Sequence, residues 1–311
     1  MTHDFQGSYT VAVTPFTRGG IAVDCSALRD FLDWQVDVGV PGIIVLGTTG
    51  EFLTVSPQER ETIVRTTVTH IAGRIPVLVG TMNAYTPTAV SHSRQAEDLG
   101  ADGLMVLPPY YYTPTDDEVE RYYDAISTAV SLPIMLYNNP VTSNIDMSAE
   151  LVSRLARNSD NIRYIKESSR DVGRVRDVIE ASAGLIRVFA GEQVVDSYLL
   201  GAIGYVNPYG NYIPRASSQI FTMLTNDRIT DARAIARIID AIDVVIAAGH
   251  PTYGHQCYSK ALAALAGYPV GDVRPPLTRF DELGAEGRRR VARISSLMAD
   301  LDNLMEELSP G

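Results

Sequence analysis

Eight times between the N-terminus and Thr225, a short run of β-branched and aliphatic side chains is followed by a longer stretch, in several cases clearly amphipathic. That alternation leaves the chain few folds to choose from. The runs are Tyr9 to Val13, Ile43 to Leu46, Val77 to Val79, Gly103 to Leu107, Ile134 to Tyr137, Ile162 to Lys166, Ile186 to Phe189 and Gly204 to Val206. Between them, helices are predicted over stretches such as 26–38, 57–71, 87–99, 116–130 and 148–156, and Ser56-Pro57-Gln58-Glu59 reads as a capping box. Eight βα repeats predict an α/β fold, a (β/α)8 TIM barrel. An open doubly wound sheet would show about five or six strands and a Gly-rich dinucleotide turn, and no GxGxxG follows the first run. After Thr225 the runs stop; 229–248, 255–266 and 286–307 are helical in pattern, separated by Gly249-His250-Pro251 and Gly267-Tyr268-Pro269. The expected organisation is a catalytic barrel over 1–225 and a C-terminal helical region over 226–311, which either makes oligomer contacts or covers one face of the barrel.

The 311 residues, 45% apolar and 20% charged, suit a globular enzyme. A net charge of -11 repels phosphate backbones and anionic lipid, and the one basic cluster, Arg288 to Arg290, is short, so no nucleic-acid partner is expected. No uncharged apolar run is long enough for a membrane span, and the opening MTHDFQGSYTVAVTPF lacks the basic and apolar regions of a leader; the expectation is a cytoplasmic protein with no membrane contact. Cys25 and Cys257 are too few for a disulfide framework and read as reduced thiols. His250, His255 and Cys257 lie close in sequence, but at a loop-to-helix start in the C-terminal region, where core or capping roles are the expectation; no metal and no cofactor are expected.

In a barrel of this kind, reactive groups sit where strands end and βα loops begin. Of 26 basic residues only Lys166 and Lys260 are lysines, so each needs a reason that arginine cannot supply. Period-two alternation along the sixth run puts Lys166 on the same face as Tyr164 and Ile162, toward the barrel interior. Burial disfavours an unpaired ammonium, and the neutral amine is the form that attacks a carbonyl. The competing reading is a structural salt bridge to Glu51, Glu167 or Glu192. Lys260 falls in an apolar helical segment and is expected to snorkel or pair. The second run ends in Gly47-Thr48-Thr49-Gly50-Glu51, a donor-rich turn suited to a carboxylate or phosphate, or else an ordinary Gly-rich turn. The fifth run ends at Tyr137, a phenol that relays protons only if another group holds it, and is otherwise a packing residue.

Taken in order and spacing, GTTGE at 47–51, PPYYY at 108–112, YNNP at 137–140, IKESS at 165–169 and GAIGYVNPYGN at 201–211 resemble the dihydrodipicolinate synthase and N-acetylneuraminate lyase family of Schiff-base lyases. The likeness spans nearly the whole chain, and the lysine stands 29 positions after the tyrosine of YNNP. The resemblance implies a TIM barrel assembled as a homotetramer, a dimer of dimers, in which Lys166 forms an imine with pyruvate or another small-molecule 2-oxo acid. It implies that Thr48 and Thr49 are the carboxylate-binding and proton-relay hydroxyls, with Gly50 in their turn. It also implies that Tyr137 is the acid/base, that Tyr111 passes across a subunit interface, and that Val206 and Asn207 line the substrate site.

Two departures bear on the substrate. Family members that bind aspartate semialdehyde carry an Arg five positions after the YNxP tyrosine, where this chain has Thr142; Arg170 and Arg215 are the other candidates for a clamp, and neither matches the motif. Tyr164 and Asn207-Pro208 are bulky where relatives are small, which suggests an altered pocket. The expectation is a lyase on a 3-deoxy-2-oxo sugar acid or a hydroxylated 2-oxo acid, whose hydroxyls would bond Thr142, Asn207, Asn211 and the Tyr111 phenol. The alternatives are dihydrodipicolinate synthase activity, a dehydratase or deaminase using the same imine, and a retired barrel that senses a ligand, which would be free to lose any of Lys166, Tyr137 or Thr49.

Overall fold

The computed structural model describes residues 4–248 and 254–308. Eight parallel strands, β1 (Gly7–Val11), β2 (Ile43–Val45), β3 (Val77–Gly80), β4 (Gly103–Val106), β5 (Ile134–Asn138), β6 (Ile162–Glu167), β7 (Arg187–Ala190) and β8 (Gly204–Asn207), close into a barrel in sequence order. The helices are α1 (Cys25–Asp37), α2 (Pro57–Ile71), α3 (Thr86–Asp98), α4 (Asp116–Ser127), α5 (Pro140–Ser143), α6 (Ala149–Asn158), α7 (Gly173–Ala181), α8 (Val194–Leu199), α9 (Pro214–Thr225), α10 (Ile229–Ala247), α11 (His255–Leu265) and α12 (Gly284–Glu307). The expected TIM barrel with C-terminal helices is therefore the observed fold. Strands covered on both faces are apolar along most of their length, and β2, β3, β4, β5 and β8 are buried at every residue. No helix among the described residues is long and apolar enough to cross a membrane.

The chain divides into two compact units. One is Pro76–Val206 with the segment up to Gly7, and the other is Ser8–Ile75 with the chain from Asn207 onward. In the first unit β3 to β8 lie side by side, with Leu104 opposite Ile134, Tyr137 opposite Lys166 and Lys166 opposite Phe189. Gly103 opens β4 because a Cβ there would stand 2.8 Å from the buried ring of Phe5. Phe5 packs on Tyr164 at a centroid distance of 5.0 Å, and the Tyr164 hydroxyl accepts from the Phe5 N–H (3.2 Å) and donates to Asp4 (3.3 Å). The bulk of Tyr164 thus fills the N-terminal layer of the barrel, which corrects the expectation that it reshapes the substrate pocket.

In the second unit β1 pairs with β2, Thr10 opposite Ile43. The capping box of α2 forms as expected: the Glu59 N–H donates to the Ser56 hydroxyl, and the Ser56 N–H donates back to Glu59. The helices α10, α11 and α12 belong to this unit, with α10 packed against α9 and α12.

Candidate active site

Lys166 is the penultimate residue of β6, with its cross-strand partner Tyr137 beside it; its Nζ lies 4.3 Å from the centre of the tyrosine ring. The lysine is 8% exposed and makes no ion pair among the described residues. The carboxylates that could have neutralised it are engaged elsewhere: Glu51 pairs with Lys260 at 2.6 Å, and Glu167 accepts from Asn138 and from the Ser169 N–H. The structural salt bridge to either of these carboxylates is thereby excluded. A buried amine with no carboxylate partner, lying over a π face, is placed to attack a carbonyl when it is in its neutral form. The Tyr137 hydroxyl accepts from Asn139 Nδ2 at 2.8 Å, which orients the phenol and leaves its own proton to be given elsewhere.

One residue beyond each of these groups, Asn138 and Glu167 are again opposite each other. The Asn138 amide donates to Glu167 (3.0 and 3.3 Å) and to Asp146 (3.0 Å), its oxygen accepts from the Met147 N–H, and Arg174 grips Asp146 with two bonds of 3.0 Å. Burial pushes the Glu167 carboxyl up, against the pull of its hydrogen bonds to Ser169 and Asn138. This clasp fixes the ends of β5 and β6 where Tyr137 and Lys166 sit.

The turn after β2 is built differently. The Gly50 N–H bonds the Gly47 carbonyl, the Glu51 N–H bonds the Thr48 carbonyl, and the turn is flanked by Leu46 and Glu51 with φ of 59° and 56°. Gly50 is required, since a Cβ would stand 3.0 Å from the Ala12 carbonyl oxygen and 3.1 Å from the Leu46 nitrogen. The backbone N–H groups of Thr48 and Thr49 and the Thr48 hydroxyl have no partner among the described residues, so the turn presents open donors. Thr49 is buried, with its hydroxyl 3.3 Å from His255 Nε2, and Gln256 donates to the Thr48 carbonyl (3.3 Å). His255 and Gln256 were missed as site residues by sequence reasoning: they contact residues more than 200 positions away, and no local pattern announces such a contact.

The remaining expected residues are less available. Asn207 is 0% exposed; its oxygen accepts from Tyr209, Gly210 and Ser217, and its amide donates to Ser8. Asn211 is equally spent, on Val11, Pro208 and Val13. These side chains fasten backbone rather than read a substrate hydroxyl, contrary to expectation. Val206 is buried in β8. Thr142 lies in α5 and donates to the Asn139 carbonyl at 3.2 Å, while Arg170 and Arg215 are exposed. Tyr111 is 84% exposed at φ 78°, with Tyr112 edge-on to it. Cys257 is buried, its thiol pushed up to about 12 chiefly by desolvation, which disfavours the thiolate a metal would need; His250 lies outside the described residues.

A closed β/α barrel carrying a buried lysine beside a tyrosine at its strand ends defines, as a class, the lyases that work through a lysine imine. Comparison with known proteins narrows the class. Residues 4–294 match the model of the dihydrodipicolinate synthetase family, and the chain belongs to that family of class I, pyruvate-dependent aldolases and lyases. It is 33% identical to the 4-hydroxy-tetrahydrodipicolinate synthase of Syntrophus aciditrophicus over 297 residues, covering 94% of this chain and 99% of that one. Among solved structures it resembles a prophage protein of the dihydrodipicolinic acid synthase family from E. coli K12 in complex with pyruvate (TM-score 0.88, 29% identity, 96% and 99% covered). It also resembles the 4-hydroxy-tetrahydrodipicolinate synthase of Methylacidiphilum fumariolicum SolV (TM-score 0.87, 28% identity, 97% and 99% covered).

Proposed function

We propose that this lyase acts on a hydroxylated 2-oxo acid, of the 3-deoxy-2-oxo sugar acid type, with Lys166 as the imine-forming nucleophile. The observation that carries the assignment is the buried Lys166 amine, free of any carboxylate and 4.3 Å from the Tyr137 ring. The amine adds to the C2 carbonyl, and the carbinolamine loses water to give a cationic imine. That nitrogen draws in the electron pair released when the C3–C4 bond breaks, C4 leaving as an aldehyde as its hydroxyl proton is taken, or when a C3 proton leaves ahead of loss of the C4 hydroxyl as water; each yields an enamine or its unsaturated imine, and reprotonation and hydrolysis return a 2-oxo acid and the free lysine. Tyr137, steadied by Asn139, moves the proton, and the open N–H groups of Thr48 and Thr49 with the open Thr48 hydroxyl, in the turn that Gly50 permits, hold the substrate carboxylate, the Thr49 hydroxyl standing beside His255. At position 142 a hydroxyl replaces a charged fork, which weakens any hold on a second carboxylate and favours a neutral, hydroxylated chain. With Asn207 and Asn211 engaged, Thr142 and Tyr111 remain as the groups that would meet it. We further propose a homotetramer working in the cytoplasm, in which the exposed Tyr111 reaches a neighbouring copy's site, and 226–311 as its C-terminal helical region.

The second reading, condensation of pyruvate with aspartate semialdehyde, is favoured by the name 4-hydroxy-tetrahydrodipicolinate synthase carried by the relatives at 30–36% identity. Two measurements test the proposal. Borohydride reduction in the presence of pyruvate should add one mass to the Lys166 peptide, and Lys166→Arg should abolish both adduct and turnover without unfolding the chain; an unlabelled Lys166, or label on Lys260 alone, refutes the assignment. On a panel of hydroxylated 2-oxo acids, at least one should show a higher kcat/KM than pyruvate with aspartate semialdehyde. The reverse order establishes the synthase.

A further inference from the structure

We infer that Lys260 is a positioning residue for the carboxylate-binding turn: from α11 it holds Glu51, and through Glu51 the corner that ends the Thr48–Thr49 turn. This rests on the reading of Lys166 and of that turn given above. Lys260 Nζ stands 2.6 Å from Glu51 Oε1, with side chains 2% and 0% exposed, and the other carboxylate oxygen accepts from the Arg274 N–H at 2.9 Å. The ammonium also donates to the Asp272 carbonyl (2.9 Å) and lies over the Phe16 ring, 4.2 Å from its centre. Glu51 itself sits at φ 56°, a left-handed conformation that a large side chain keeps only when its surroundings hold it there.

The same helix makes two further contacts with the turn, from Gln256 Nε2 to the Thr48 carbonyl and between His255 and the Thr49 hydroxyl. One element thus grips three of the five residues of GTTGE. A buried ion pair adds little net stability over an apolar pair of the same volume, because both ions lose their hydration. What it supplies is fixed geometry, and here the geometry belongs to Thr48 and Thr49. It also accounts for the second lysine of a chain that uses arginine everywhere else: a slim ammonium fits between the carboxylate, a carbonyl and a ring face, where a planar guanidinium would need more room.

The test uses the full chain with Glu51→Gln and Lys260→Met combined, so that no buried charge is left unpaired. Imine formation is read as borohydride-trapped mass on the Lys166 peptide against pyruvate concentration. The expected result is a folded protein with wild-type labelling at saturation and a half-saturating pyruvate concentration raised roughly tenfold, the loss of about one charge-assisted carboxylate contact. An unchanged half-saturation in the folded double variant overturns the inference. If that variant does not fold, Gln256→Leu decides. It removes only the bond to the Thr48 carbonyl, together with a buried amide oxygen that has no partner, and should raise half-saturation roughly threefold, in proportion to a weaker neutral bond; no rise overturns the inference. Absence of label on Lys166 in the wild type is a different failure: it overturns the reading of the site, and this inference with it.

Discussion

At the scale of single residues, what could be read in advance was the chemistry that a strand end exposes. Lys166 and Tyr137 were legible because alternation and strand order fix where they point. Asn207 and Asn211 were expected to meet a substrate and are engaged within the chain, because an amide that suits a sugar hydroxyl suits a backbone N–H, a serine hydroxyl or a carbonyl equally well, and only the folded chain shows which it meets. Glu51, one of three partners in the competing salt-bridge reading of Lys166, belongs to Lys260, since a buried carboxylate pairs with whichever cation the fold delivers. One titration effect comes from a specific ion pair, at Glu59. Arg274 grips it with bonds of 2.5 and 2.9 Å and holds its carboxyl down to about 2, from 4.5. With the folded value below the unfolded one, the unfolded chain binds the extra proton. The stabilisation is therefore complete above about pH 4.5 and lost as pH falls toward 2. Urea unfolding of Glu59→Gln should show its largest deficit near neutrality and converge on wild type through that window; a constant gap would refute the linkage.

At the scale of elements, the eight strands were legible because parallel strands buried on both faces are written as uninterrupted apolar runs. Their ends were less so. β5 and β6 each continue one residue past the expected stop, because Asn138 and Glu167, polar residues that ordinarily mark a loop, complete each other across the ladder. The clasp they form makes a prediction at this scale. Asn138→Ala removes the amide that bridges Asp146 and Glu167 and orphans the Met147 N–H, which should cost about 2 kcal/mol in denaturant unfolding. Labelling of Lys166 by pyruvate and borohydride should survive, because the lysine's own strand is unchanged. A cost near zero would mean that the ends of β5 and β6 are held by the backbone ladder alone.

At the scale of the whole molecule, fold class followed from the count of repeats, and family from five motifs in order. The role of the C-terminal helices did not follow from either. Oligomer contact and covering of a barrel face were the two expectations for that region, and neither foretold that α11 would grip the GTTGE turn, since the partners are far apart in sequence. The assembly itself is testable through Tyr111. If its exposed phenol serves a neighbouring copy, Tyr111→Phe should lower kcat roughly 10- to 100-fold with the oligomer intact in sedimentation. Full activity in a demonstrated monomer would remove the interface role.

Both lysines are interior, at 8% and 2% exposure. An enzyme that spends its working life among reactive carbonyl compounds ordinarily collects them as random adducts on surface amines. This one offers no lysine amine at its surface for sugars or aldehydes to glycate. A short treatment of the folded protein with an amine-acylating reagent too large to enter the barrel should leave both lysine peptides unmodified, and denaturation should make both reactive. On the proposed reading of Lys166, the lysine a metabolite reaches is the one at the end of β6, which releases its adduct as product.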